Sequence, residues 1–383
     1  MSRHELARTP HIVAGAGSRE VLGELVASLA GSNGKALLIA DRGLEPTGMV
    51  DEIRSALRKS LSGVEVFSGF SGDPSATETD AAASLARASS TGVIVALGGG
   101  SALDLGKAVA AIASENRPAI EYELGKREFP AKRLPAICVP TTSGTGSEAT
   151  RTAVLTRADS AKTWLWGDAV KPAEVVLDPE LTVSLPAALT AATGIDALVH
   201  AVEAATNRNA NAANNLYAHA AIELVARHLE RAVSHPDDIG AREGMQRAAM
   251  LAGIAIDNAG TGIAHNIGHA MGSLRKIHHG RAVGVAMLAS LRWNLENDDG
   301  RFAACAGAMG ARASSAGFSE AYERLLRACG LKVSVAEEFA GVSPDQLARQ
   351  MARPENASMR ASNKREASEA DLSYLAERVL AQA

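Results

Sequence analysis

The pattern of apolar residues changes once along this chain, near Leu185–Pro186, and that change limits the folds open to it. Upstream, short apolar runs alternate with amphipathic stretches. HIVAGAG (11–17) reads as a strand entering a turn at Gly15 and Gly17, and REVLGELVASLAG as a helix that Gly31 ends. KALLIAD (35–41) and TGVIVALGGG (91–100) are apolar runs of strand length, the pattern of strands buried on both faces of a parallel sheet. GVEVFSGF reads as a further strand, and MVDEIRSALRKSL and TETDAAASLARASS as helices. Such alternation predicts an α/β fold with a parallel sheet. Downstream the strand signals stop. Helices are expected at 187–205, 212–233, 240–258, 262–273, 281–296, 317–329, 343–352 and 368–382, with breakers such as SHPDD at 234–238 between them. The expected organisation is an α/β dinucleotide domain over residues 1–185 and an all-helical domain over 186–383.

The helical half concentrates the groups that bind cations. Asp196 and His200 are four residues apart with no Pro or Gly between them, so on a helix they share one face. His265 and His269 repeat the spacing, and His279 follows. A straight helix from His265 to His279 would part them by ~21 Å, too far to share an ion. A turn at Gly272 is expected to fold His279 back. A carboxylate and imidazoles from separate elements suit zinc or ferrous iron. An Asp–His pair four apart is also an ordinary helix-surface ion pair, and spacing alone leaves both readings open.

Two glycine-rich loops point to a phosphate ligand. Gly98, Gly99 and Gly100 stand between a strand and a helix, where missing Cβ atoms admit a ligand and the helix start offers free N–H groups. The loop is not a nucleotide-triphosphate P-loop, because five residues separate Gly100 from Gly106 and Ala108 follows Lys107. It is not GxGxxG either, because Leu103 stands where the last Gly is needed. A tight turn made only for packing is the competing reading. About forty residues on, ICVPTTSGTGSEAT crowds hydroxyls around Gly144 and Gly146, and is expected to form the opposite wall of one crevice. Asp41 ends the second strand, where a carboxylate accepts hydrogen bonds from a ribose 2′-hydroxyl and repels a 2′-phosphate. NAD is therefore favoured over NADP, although Arg42 next to it could take a phosphate.

Composition excludes other classes. The 383 residues suffice for two domains, and 46% hydrophobic content with only 3% aromatic means aliphatic, Ala-rich cores. A net charge of −4 with mixed signs argues against a nucleic-acid partner. No apolar run approaches a ~20-residue membrane span, and the start lacks the apolar core of a signal peptide. Cys138, Cys305 and Cys329 are too few and too dispersed for a disulfide framework. A cytoplasmic protein without a membrane partner is expected.

The blocks GGGSALDLGKA, PTTSGTGSEAT, GIDALVHAVEA and AHNIGHAMG…HHG, in that order over residues 98–280, resemble the iron-dependent (group III) alcohol dehydrogenase family. The resemblance implies a Rossmann-like parallel-sheet domain followed by a helical metal-binding domain, a dehydroquinate synthase-like architecture. It implies Asp196, His200, His265 and His279 as metal ligands, with ferrous iron as the ion and zinc as the alternative. His269 matches a pocket histidine of the proton relay. Gly98, Gly99, Gly100, Ser101 and Asp104 fall where the family contacts the pyrophosphate, Thr141, Thr142 and Thr145 along the cofactor, and Lys162 at the nicotinamide ribose. The implied activity is hydride transfer between NAD(H) and a small alcohol, aldehyde or ketone whose oxygen the metal binds, in a homo-oligomer. The competing readings are a maleylacetate reductase-like or glycerol dehydrogenase-like enzyme on the same fold, and a dinucleotide-binding protein without catalysis.

The substrate is less legible. Alternation through TRTAVLT puts Thr150, Thr152 and Val154 on one face and Arg151 on the other, so Arg151 is not read as an anion clamp. Residues 157–167, with Trp164 and Trp166, read as a loop. Arg275 and Lys276 could meet an anionic tail or lie in a solvated turn. Lys364 stands where relatives have Pro.

Overall fold

The computed structural model describes residues 4–30, 34–70, 72–296 and 298–382. Gly31, expected to end the first helix, lies outside them. The chain divides into two compact units: Arg8–Thr142 with Ser147–Ser184, and Leu185–Ala383 with Ser143–Gly146 and a short N-terminal segment ending at Ala7.

The first unit is built on β1 (His11–Ala14), β2 (Lys35–Ala40), β3 (Gly63–Phe67), β4 (Val93–Gly98) and β5 (Ala136–Pro140), with helices α1 (Leu22–Ala30), α2 (Met49–Arg58), α3 (Ala76–Ala88) and α4 (Gly100–Ile112). A hairpin of β6 (Thr152–Thr156) and β7 (Lys162–Trp166) precedes β8 (Glu174–Leu177). Six strands form a wholly parallel sheet in the order β1-β8-β5-β4-β2-β3. Alternation through β2 sends Ala36, Leu38 and Ala40 into the core on one face and Leu37 and Ile39 into the core on the other. A sheet buried on both faces needs helices on both, as the continuous apolar runs predict.

KTWLW, expected to be loop, is instead β7, paired antiparallel with β6 and apart from the main sheet. Thr163 and Leu165 alternate inward, a period-2 signal too short to stand out after the polar turn RADSA.

The second unit comprises α5 (Ala187–Thr206), α6 (Ala212–Ser234), α7 (Ile239–Ala259), α8 (Ile263–Leu274), α9 (His279–Leu295), α10 (Arg301–Ala308), α11 (Ser315–Ala328), α12 (Pro344–Met351), α13 (Ala357–Ser362) and α14 (Glu369–Leu380). Helices α10 and α13 were not expected; at eight and six residues they carry too few turns to show a periodic stripe. Helix α5 is buried on every side from Thr190 to Thr206 and packs against α6, α7 and α9. Small side chains make this close packing feasible, which is why so few aromatics suffice. The start of α9 lies directly on α5: a Cβ at Gly280 would come within 2.2 Å of the Ala192 carbonyl, and one at Gly284 within 2.8 Å of Ile195.

Candidate functional site

Three ionisable side chains stand on the mostly apolar α5: Asp196, His200 and Glu203, at i, i+4 and i+7, hence on one face over two turns. All three are buried, and burial without partners is costly for such groups. Helices α8 and α9 complete the cluster. His265 Nε2 lies 3.6 Å and His279 Nε2 3.7 Å from Asp196 Oδ1. Among the described residues, Asp196, His265 and His279 are a group whose ligand atoms all fall within 4.8 Å of one another. Two ligands ~2.1 Å from a shared tetrahedral ion lie ~3.4 Å apart, so these separations fit one cation.

His200 stands beside this group rather than within it. Its Nδ1 is 3.9 Å from Asp196 Oδ1, and its ring stacks on His265 with centroids 4.3 Å apart. Asp196 Oδ1, His200 Nδ1 and His265 Nε2 are buried and make no hydrogen bond within the protein. Converging buried acceptors of this kind are the donor set of a cation, so the residues fit a divalent metal.

The charges respond to one another. Burial raises the Asp196 carboxyl, but His200, His279 and His265 outweigh it and hold it well below the usual carboxylate range. Burial pushes His200 down to about 3, keeping the imidazole neutral as a ligand must be. Burial opposes charge on His265 too, yet Glu203 and Asp196 overcome it and lift His265 to about 9.

Glu203 is the residue that sequence reasoning missed. Its carboxylate lies 2.6 Å from His265 Nδ1 and accepts the backbone N–H groups of Gly262 and Ala264, each at 2.7 Å. It orients the ring so that Nε2 faces Asp196, the arrangement that fixes tautomer and basicity in metal-binding histidines. Its spacing on α5 carried the signal, since a third polar residue seven after Asp196 continues the same face.

The reversal that returns His279 is not at Gly272. Helix α8 runs through Gly272 to Leu274, and the chain turns over residues 275–278, beginning where Arg275 becomes extended. An isolated glycine is tolerated within a helix, and here it does not end one. Arg275 and Lys276 are exposed in that turn. His269, one turn after His265, is half-buried and meets His279 edge to face at 5.3 Å.

The loop between Thr142 and Ser147 contributes to this unit as well. A Cβ at Gly144 would strike Thr193, and Gly146, at φ +61°, has its backbone against Gly253. The Gly144 carbonyl accepts a hydrogen bond from the His200 ring. Thr145, expected along the cofactor, belongs to this segment.

In the α/β unit the connection after β2 leads to β3, while that after β4 leads to β5 on the other side, so β2 and β4 flank the topological switch point. Ligands of open parallel sheets bind beyond such a point. Asp41 follows β2, Gly98 ends β4, and Gly99 leads into Gly100 at the start of α4. Gly98 has φ +146°, and a Cβ there would collide with Ala102; Gly99 abuts Thr142. Thr141 donates its N–H to the Gly98 carbonyl at 2.9 Å. Asp41 accepts the Gly43 N–H at 2.8 Å through Oδ1.

Ser101 and Lys162 both reach Asp73, at 3.4 and 2.5 Å, a residue that sequence reasoning did not select. Asp104, expected at the pyrophosphate, has partners within the protein. Both of its oxygens turn inward, Oδ1 to the Ser147 hydroxyl at 2.5 Å and Oδ2 to the Val154 N–H at 3.0 Å. Arg151 lies over the Trp166 ring, 4.9 Å from its centroid.

Residues 9–179 match the family described as iron-containing alcohol dehydrogenase, and residues 190–380 match the Fe-containing alcohol dehydrogenase family, C-terminal. The chain is 34% identical over 293 residues to the NAD-dependent methanol dehydrogenase of Bacillus methanolicus, covering 76% of this chain and 77% of that one. It is 36% identical over 313 residues to the 1,3-propanediol dehydrogenase of Klebsiella pneumoniae, covering 80% of each. The crystal structure of sulfoacetaldehyde reductase from Bifidobacterium kashiwanohense, in complex with NAD+, superposes over 100% of both chains with a TM-score of 0.91 at 27% identity. Likeness of this extent, running through both units, means that the chain belongs to the iron-containing alcohol dehydrogenase family and is an oxidoreductase of that class.

Proposed function

We propose that this protein interconverts small primary alcohols and their aldehydes with NAD(H), and that Asp196, His200, His265 and His279 hold the divalent metal. The observation that carries the metal assignment is the convergence of Asp196, His265 and His279 within 4.8 Å, with Glu203 buried behind His265. The relatives named for methanol and 1,3-propanediol act on small primary alcohols, and we assign this chain the same class. When bound, the metal supplies the Lewis acidity that makes an alcohol proton easier to lose, and the nicotinamide carries the hydride.

The chain's own residues do the rest. Glu203 holds His265 in the tautomer that presents Nε2 inward. His269, only half-buried and touching His279, passes the substrate proton toward solvent. Gly98, Gly99 and Gly100 admit the pyrophosphate to the start of α4, with Thr141 and Thr142 beside them. Asp41 retains Oδ2 for a ribose hydroxyl and selects NAD over NADP. Iron is the assigned ion, and zinc is the competitor at a site of oxygen and nitrogen donors.

The test is elemental analysis of anaerobically purified protein, followed by NADH absorbance with methanol, 1,3-propanediol, short aldehydes and oxoacids, with iron or zinc added. Turnover of alcohols with NAD+ in a metal-dependent manner is expected. Turnover confined to oxoacids, or none with either metal, would overturn the proposal.

A further inference from the structure

We propose that Lys107 is a positioning residue for dinucleotide binding, acting through the segment from Ser147 to Val154 rather than by touching the cofactor; the inference rests on the NAD reading above. Lys107 lies two turns into α4, the helix that starts at the glycine turn, and its side chain has no exposed surface. Its ammonium donates to the Ser147 carbonyl at 2.8 Å, to the Thr150 hydroxyl at 3.2 Å and to the Thr152 carbonyl. Asp104, three residues earlier, lies 3.2 Å from the same ammonium and takes the Ser147 hydroxyl and the Val154 N–H. One lysine and one aspartate of α4 thus engage four residues of the segment by side chain or backbone.

That segment needs an external hold. Residues 147–149 form one short 3-10 turn, and the β6–β7 hairpin that follows pairs with itself outside the main sheet, with a single isolated bridge from Thr156 to Ser75. Among the described residues no ladder joins the hairpin to the main sheet, so the bridge at Thr156, packing and this network set where it sits. The hairpin carries Lys162, whose ammonium meets Asp73, and Asp73 also meets Ser101 in the first turn of α4. Helix α4 and the hairpin are therefore tied twice, once internally by Lys107 and Asp104 and once at the surface by Asp73. A compact donor with three N–H groups can satisfy several backbone carbonyls at once, which an apolar side chain of similar length cannot. Loss of that charge leaves buried carbonyls without donors, and the segment must shift to find others. Ser101 and Lys162 then lose their spacing.

The experiment uses the metal-loaded full chain. Lys107→Met is expected to weaken NAD+ binding at least tenfold by calorimetry and to raise KM for NAD+ in parallel. The kcat at saturating NAD+ and the metal content per chain should stay within twofold, a split that a general loss of folded protein would not produce. Lys107→Met that binds NAD+ as tightly as the wild type overturns the inference. Should that variant not fold, Ser147→Ala and Thr150→Val decide: weakening of at least threefold in either supports the inference, and wild-type affinity in both overturns it. Failure of the wild-type protein itself to bind NAD+ overturns the NAD reading and the inference with it.

Discussion

Each unit buries a polar cluster, and the two clusters end differently. In the α/β unit, Asp104, Ser147, Thr150 and Lys107 satisfy one another, the cation being the chain's own lysine. In the helical unit, Asp196, His200 and His265 converge with three ring or carboxylate atoms that find no hydrogen bond in the protein. Buried polar atoms are nearly always paired, so the contrast separates a cluster made for shape from one made to take an ion. The helical cluster is also held from outside, by Glu203 behind His265 and by Gly280, whose missing Cβ lets α9 bring His279 onto α5.

Substitutions break this contrast to different degrees. The largest effect is expected of His265→Ala, which should reduce turnover to background and remove the metal while leaving the NAD+ dissociation constant within about twofold, since dinucleotide and metal residues are separate. Elemental analysis and calorimetry check it, and unchanged turnover would sink the assignment. Next, Lys107→Met strands a buried carboxylate and should cost about 3–5 kcal/mol in denaturant unfolding, part of which a second change, Asp104→Leu, should restore. No comparable recovery of activity is possible in the helical cluster, whose charges serve the ion.

A pH series sharpens the comparison further. Burial pushes the Glu148 carboxyl from 4.5 up to about 7. The folded state therefore keeps a proton that the unfolded chain releases. The stability linked to Glu148 is complete below about pH 4.5 and is lost as pH rises to about 7. Glu148→Gln should flatten this decline by about 3 kcal/mol between pH 4.5 and 8, measured by unfolding at each pH. Glu203→Gln keeps the shape behind His265 but not the charge, and should lower metal affinity by about ten- to hundredfold in a competition titration with a chelator. The smallest effect is expected of Asp41→Ala, with NAD+ affinity falling about tenfold while NADP+ gains, read as the ratio of kcat/KM for the two cofactors.

Much of this is legible in the sequence. The continuous apolar runs KALLIA and VIVALG and the later helical periodicity define the two kinds of packing, because local side-chain spacing decides which faces can be buried. The pairing of Asp196 with His200 was visible for the same reason. Glu203 was as visible in principle, seven residues along the same face, but a lone glutamate gives no hint that it meets a histidine sixty-two positions away.

By itself, then, the order of residues determined the strand and helix patterns of the two halves and the pairing of Asp196 with His200 on one helix face, since these follow from interactions within a few turns of chain. Only the tertiary structure decided that Asp104 faces inward to Ser147, that KTWLW pairs as a strand, that the reversal before His279 comes at Arg275, and that His200 lies beside the tightest trio. Those outcomes depend on partners far away in sequence, where packing and the need to satisfy buried polar atoms override local preference.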